Sequence, residues 1–154
     1  MTIEVGQEAP DFELPDQTRT KVKLSSFRGD KNVVLVFYPF TFTGVCTGEL
    51  CEIRDDIGAY ERSGAQVLAV SCDTPFAQAK FAEEQGYTFP VLSDFWPHGA
   101  VAKAYGVFND TLGAAMRGTF VIDKQGKVVA SFASPDLGTP RAKALYEEAL
   151  AQLS

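Results

Sequence analysis

The chain of 154 residues is long enough for one domain with a sizeable core and short for two, so a single domain over residues 1–154 is expected. Its composition, 45% hydrophobic and 22% charged, is that of an ordinary globular protein, and it holds no apolar run long enough for a bilayer, so neither a membrane segment nor a membrane partner is expected. A formal net charge of -6 argues against nucleic acid or an anionic membrane surface as the main partner, because both need clustered Lys and Arg.

The start of the chain carries neither the basic region nor the apolar region of a secretory signal, and the expected location is the cytoplasm. Three cysteines are too few for a disulfide scaffold. In a reducing compartment an odd count points to reactive thiols or to plain core residues.

Val33-Val34-Leu35-Val36-Phe37-Tyr38 is an unbroken apolar run rich in β-branched and aromatic residues, as expected of a central strand buried on both faces. After Pro39 and a short loop, Cys46, Leu50, Ile53, Ile57 and Tyr60 recur at helix spacing, and this helix is expected to end near Ser63-Gly64. Its apolar stripe includes Cys46. Val67 to Cys72 reads as a second buried strand, so the three elements form a βαβ unit with a right-handed crossover and a parallel pair of strands. Thr74-Pro75 caps and opens a further helix that Gly86 stops, supplying a second element of the α layers. Gly118 to Asp123 and Lys127 to Phe132 alternate as strands around Lys124-Gln125-Gly126, which suits a hairpin and makes the sheet mixed. Thr139-Pro140 repeats the cap signal before a C-terminal stripe of Ala142, Leu145, Tyr146, Ala149, Leu150 and Leu153. The sum is a three-layer α/β/α domain with a mixed central sheet.

The loop Pro39-Phe40-Thr41-Phe42-Thr43-Gly44-Val45-Cys46 places a cysteine in the first turn of a helix at the carboxyl end of a central strand, where α/β sheets put their sites. Free N–H groups and the positive end of the helix dipole favour a thiolate there. A thiolate attacks a peroxide O–O bond and becomes a sulfenic acid when donors stabilise the departing oxygen. The spacing is equally that of a small core hydrophobe at Cys46, a helix cap at Thr43 and a strand end at Pro39.

The segment Pro39-x-x-x-Thr43-x-x-Cys46 resembles the active-site motif of the peroxiredoxins. The similarity runs through Ala9-Pro10-Asp11-Phe12, Phe27-Arg28-Gly29, Ser93 to Gly99 and Arg117 to Asp123, and Ser93 to Asn109 is similar to the AhpE-like branch. The resemblance implies a thioredoxin-like fold, with Cys46 as the peroxidatic cysteine and Thr43 bonding the sulfur and peroxide. It further implies that Pro39 shields the site, Arg117 stabilises the thiolate and Glu49 orients an arginine. Read alone, Arg117 is a solvated surface residue. It also implies a peroxide substrate, a thiol reductant such as thioredoxin, mycoredoxin or a low-molecular-weight thiol, a homodimer, and no cofactor.

Cys51, five residues after Cys46, departs from the AhpE-like pattern and resembles the resolving cysteine of the bacterioferritin-comigratory, or PrxQ-like, branch. On an ideal helix, five residues advance about 7.5 Å and turn about 140°, leaving the Cα atoms roughly 8.6 Å apart. A disulfide needs less than about 7 Å. A Cys46–Cys51 bond therefore requires the first turns to unwind, which Gly48 assists. The alternatives are a one-cysteine peroxidase reduced directly by an external thiol, with Cys51 an incidental thiol on the helix flank, and a peroxide sensor that oxidises and binds a partner. A thiol–disulfide oxidoreductase is disfavoured by the Cys-x4-Cys spacing.

Cys72 is expected in the core, with an alternative as the resolving cysteine if the fold brings it close to Cys46, and His98 is expected in a turn and Trp96 in packing. Phe40, Phe42 and Phe108 are candidates for an apolar approach, for the core or for a dimer contact. No metal is expected from one histidine and these cysteine spacings.

Overall fold

The computed structural model describes residues 3–134 and 136–153. Strands β1 (Glu13–Pro15) and β2 (Lys21–Lys23) form an antiparallel hairpin, followed by a 3-10 turn at Leu24–Phe27. The chain then enters β3 (Asn32–Phe37), the helices α1 (Gly44–Asp55) and α2 (Ile57–Arg62), β4 (Ala65–Ser71), α3 (Pro75–Gln85), β5 (Val91–Ser93) and α4 (Ala100–Ala104). It closes with the short pair β6 (Phe108–Asn109) and β7 (Ala114–Ala115), the hairpin β8 (Gly118–Ile122) and β9 (Val128–Ala133), and helix α5 (Lys143–Ala151).

The central sheet has the order β5-β4-β3-β8-β9. β3 pairs parallel with β4 and antiparallel with β8, so Val34 lies between Val67 and Val121. Every residue of β3 is buried, as its unbroken apolar run requires. Val34, Val36 and Tyr38 face one core with Cys46, Leu50, Tyr60, Phe81 and Tyr146. Val33, Leu35 and Phe37 face the other with Leu14, Ala102, Tyr105 and Phe120. Helices thus cover both faces of a mixed sheet in the thioredoxin-like α/β/α arrangement. No helix among the described residues is long and apolar enough to cross a membrane.

α3 shares the layer of α1. The strand order β3-β4-β5 steps outward in one direction, so two right-handed crossovers fall on the same face. The layer opposite is the short α4 with the N-terminal segments.

Three expectations are corrected. The helix expected to run from Cys46 to Ser63 breaks at Asp56 (φ -106°, ψ 13°). Asp55-Asp56-Ile57-Gly58 are weak helix formers, and two carboxylates oppose the negative end of the α1 dipole. Thr139-Pro140 does not start the last helix, because Ala142 is still extended and α5 begins at Lys143. Arg141 is anchored to Glu49 through both its backbone N–H and its guanidinium, so the direction of the chain here is set by that tertiary contact rather than by the local cap signal. Trp96 does not pack inside: it is 80% exposed.

Candidate active site

β3 is prolonged by the bond from Tyr38 N–H to Val70 O (2.9 Å), and the buried Pro39 turns the chain outward. The loop to α1 is then tied down from the side. Thr41 N–H donates to Asp73 Oδ2 (2.9 Å), and that oxygen also accepts from Ser71 Oγ (2.7 Å). The Thr41 hydroxyl lies 2.9 Å from the Tyr38 hydroxyl. Phe42 sits in the left-handed region (φ 71°) and packs its half-exposed ring edge-on against Phe81.

Thr43 is the N-cap of α1, yet its side chain does not cap. Its Oγ1 donates to Phe40 O (2.8 Å), so the capping alternative does not hold. Thr47 N–H to Thr43 O (2.9 Å) is the first helical bond, and Gly44, Val45 and Cys46 precede it. Cys46 is therefore the third residue of the helix, where N–H groups lack intrahelical acceptors. Its side chain is fully buried. All three cysteines are free thiols.

One turn further on, Glu49 is buried and joins two arginines. Arg117 Nη1 donates to its Oε1 (2.7 Å). Arg141 donates from Nη2 to Oε1 (2.9 Å), and from its backbone N (2.6 Å) and Nε (2.9 Å) to Oε2. The spare Arg141 donor Nη1 is spent on Phe37 O, Gly118 O and Thr119 Oγ1, stitching the site to the ends of β3 and β8. Burial works to raise the pKa of Glu49, but the hydrogen bonds and charge of Arg141, joined by Arg117, outweigh it and hold the carboxyl below the usual range. For Arg141, burial opposes the charge, and Tyr146 and Glu49 overcome it.

Arg117 is buried rather than solvated, and it is oriented by Glu49 and by Leu137 O (2.9 Å from Nε). Cys46 also contributes to the electrostatic surroundings of the Arg141 guanidinium, a second arginine that sequence reasoning missed. Its only sequence signal was an arginine between the Thr139-Pro140 pair and an apolar stripe. Among the described residues no hydrogen bond reaches the Cys46 sulfur. Glu49 and Arg141 also line a cavity of about 280 Å³ with Tyr60 and Tyr146, but Cys46 does not, so that cavity is not the approach to the thiol.

Cys51 lies on another flank of α1, half-buried, with its sulfur 3.5 Å from both Gln85 Oε1 and the Tyr87 hydroxyl. α1 is continuous through Cys46 and Cys51. Cys72 is buried at the end of β4, and burial, reinforced by the negative charge of Asp94, pushes its thiol up to about 12. His98 bridges loops through Phe95 O (3.1 Å) and Gly113 O (2.6 Å), in keeping with a turn role. Phe40 and Phe42 are exposed, whereas Phe108 is half-buried. Among the described residues no group of three or more His, Cys, Asp or Glu is placed to hold a metal ion.

A buried cysteine at the start of a helix, set at the carboxyl end of a thioredoxin-like sheet one turn from a carboxylate–arginine network, is the arrangement expected of a thiol peroxidase. The AhpC/TSA family model matches residues 5–131, and the chain belongs to this family of peroxiredoxins. It is 48% identical over 153 residues, 99% of each chain, to alkyl hydroperoxide reductase E of Mycobacterium tuberculosis and to that of Mycobacterium bovis. Among solved structures it resembles the peroxidoxin BcpB of M. tuberculosis (TM-score 0.87, 39% identity, 98% and 96% of the two chains). It also resembles a peroxiredoxin-like protein from Aquifex aeolicus (TM-score 0.88, 26% identity, 100% and 90%). The chain is a peroxiredoxin-type thiol peroxidase.

Proposed function

We propose that Cys46 is the peroxide-attacking thiolate, that hydrogen peroxide and organic hydroperoxides are its substrates, and that Cys51 resolves its sulfenic acid. The observation that carries this reading is the place of Cys46: third residue of α1, one turn from Glu49, within reach of the charge of Arg141. The relatives named as alkyl hydroperoxide reductases support the organic substrates.

The thiolate attacks the distal peroxide oxygen, the O–O bond breaks, and the alkoxide leaves as an alcohol after taking a proton. The α1 N–H groups and the two guanidiniums stabilise the negative charge as it moves from sulfur to the leaving oxygen. Thr43, whose hydroxyl proton is spent on Phe40 O, presents lone pairs that accept the peroxide proton. Pro39 shields the sulfur from the strand side. Cys46–SOH then condenses with the Cys51 thiol to a disulfide and water. An external thiol, such as thioredoxin, mycoredoxin or a low-molecular-weight thiol, supplies two electrons to reopen it, with the reducing cytoplasm as the place of work.

The unbroken α1 and the anchored Cys51 favour a second reading, a one-cysteine cycle in which the external thiol reduces Cys46–SOH directly. Intact-mass measurement after one equivalent of peroxide separates the two in wild type, Cys46→Ser and Cys51→Ser. Resolution by Cys51 yields a disulfide in wild type and a sulfenic or overoxidised species in Cys51→Ser. Unchanged peroxide consumption in Cys46→Ser would end the reading altogether. A homodimer is part of the proposal, supported by the exposed aromatic rings of Phe42, Phe95 and Trp96 that a second copy would cover, and light scattering measures it.

A further inference from the structure

Tyr87, just beyond the end of α3, reaches α1 at two points. Its hydroxyl donates to Thr47 O (3.3 Å) and lies 3.5 Å from the Cys51 sulfur. The phenol is fixed in direction, stacked on Phe89 (centroids 5.1 Å apart, 22°) and edge-on to Phe81 (5.2 Å). In an α-helix the carbonyl of Thr47 is also the acceptor for Cys51 N–H. One hydroxyl therefore holds both the thiol that would resolve and the helical turn that would have to open. With the phenol proton given to Thr47 O, the single Cys51 S–H is shared between the Tyr87 oxygen and Gln85 Oε1, and Arg54 Nη1 donates to Gln85 O (2.6 Å), pinning the end of α3 against α1.

We propose that Tyr87 is a latch on the resolving step, keeping α1 wound and Cys51 turned away from Cys46 until the helix opens. The inference rests on Cys51 being the resolving cysteine. Opening breaks the Tyr87 contacts, brings Cys51–SH to Cys46–SOH, forms the S–S bond and releases water. With the latch closed, the sulfenic acid waits, and a second peroxide can convert it to sulfinic acid and water. Tyr87 is thus a positioning residue that sets the partition between turnover and overoxidation without touching peroxide.

The test is Tyr87→Phe, which keeps the ring and its packing and removes only the hydroxyl. Rapid quench with thiol alkylation and intact mass, after one equivalent of hydrogen peroxide, separates sulfenic acid formation from disulfide formation. Sulfenic acid should form within twofold of the wild-type rate, while the disulfide forms about fivefold faster, the size expected for losing the one hydrogen bond to Thr47 O while Gln85 still accepts from Cys51. Under excess peroxide the variant should accumulate less sulfinic acid. Hydrogen exchange of the reduced protein should quicken over residues 47–51 and stay unchanged in β3 and β4. A disulfide rate equal to or below wild type, or unchanged exchange over residues 47–51, overturns the latch. A sulfenic acid that persists in both proteins removes the resolving reading, and the latch with it.

Discussion

Replacing Glu49 by Gln takes away the carboxylate that joins two buried guanidiniums. Glu49 is 4% exposed, Arg117 3% and Arg141 3%, so bulk solvent screens the pairs little, and the cavity that Glu49 and Arg141 line lets water replace only part of the lost partner. Breaking a buried ion pair from one side costs about 3–5 kcal/mol. Gln keeps one oxygen acceptor, which places the loss near the lower end. For a domain of this size, about 3 kcal/mol corresponds to a fall in Tm of roughly 6–12 °C. The pH dependence carries a sign. The folded pKa of Glu49 is below its ordinary 4.5, so its contribution is complete above about 4.5 and is lost as pH falls through the folded value. The gap between wild type and Glu49→Gln should therefore be constant at neutral pH and shrink below about pH 4.5. Urea unfolding at pH 7 and across the acid range measures both. A Glu49→Gln protein within about 1 kcal/mol of wild type at pH 7, or a gap that widens in acid, would refute the reasoning.

Two further outcomes follow from single residues. The Cys72 thiol, pushed up to about 12, stays protonated at neutral pH, so peptide-mapped iodoacetamide labelling at pH 8 should modify it far more slowly than Cys51, and Cys72→Ser should leave peroxide consumption unchanged; labelling of Cys72 as fast as Cys51 would contradict this. Gly99 has φ 71°, and a Cβ there would lie 2.2 Å from Phe108, so Gly99→Ala combines left-handed strain of about 1–2 kcal/mol with overpacking of about 1–3 kcal/mol; a variant as stable as wild type in denaturant would show that the loop yields freely.

Much of the frame was legible in the chain because it is written in local periodicity. The apolar run of β3, the stripe carrying Cys46, Leu50 and Ile53, the Thr74-Pro75 cap and the hairpin at Lys124-Gln125-Gly126 each depend on neighbours a few residues apart. The motif Pro39-x-x-x-Thr43-x-x-Cys46 is local too, and so the cysteine at the head of α1 could be named from it. Long-range polar pairing has no such signature. Glu49 and Arg141 are 92 residues apart and Glu49 and Arg117 are 68 apart, and only the folding of β8 and the segment before α5 against α1 brings the three together. Without that packing, Arg117 reads as a solvated surface residue and Arg141 as part of a helix start. The same holds for Tyr87, whose hydroxyl meets α1 from 40 residues away. The sequence by itself determined the strands, the helix and the thiol at its start, because hydrophobic period and capping act within a few residues. Tertiary structure decided which charges surround that thiol and which hydroxyl lies against its neighbour, because burial, which makes those pairings matter, exists only once the sheet and helices have closed.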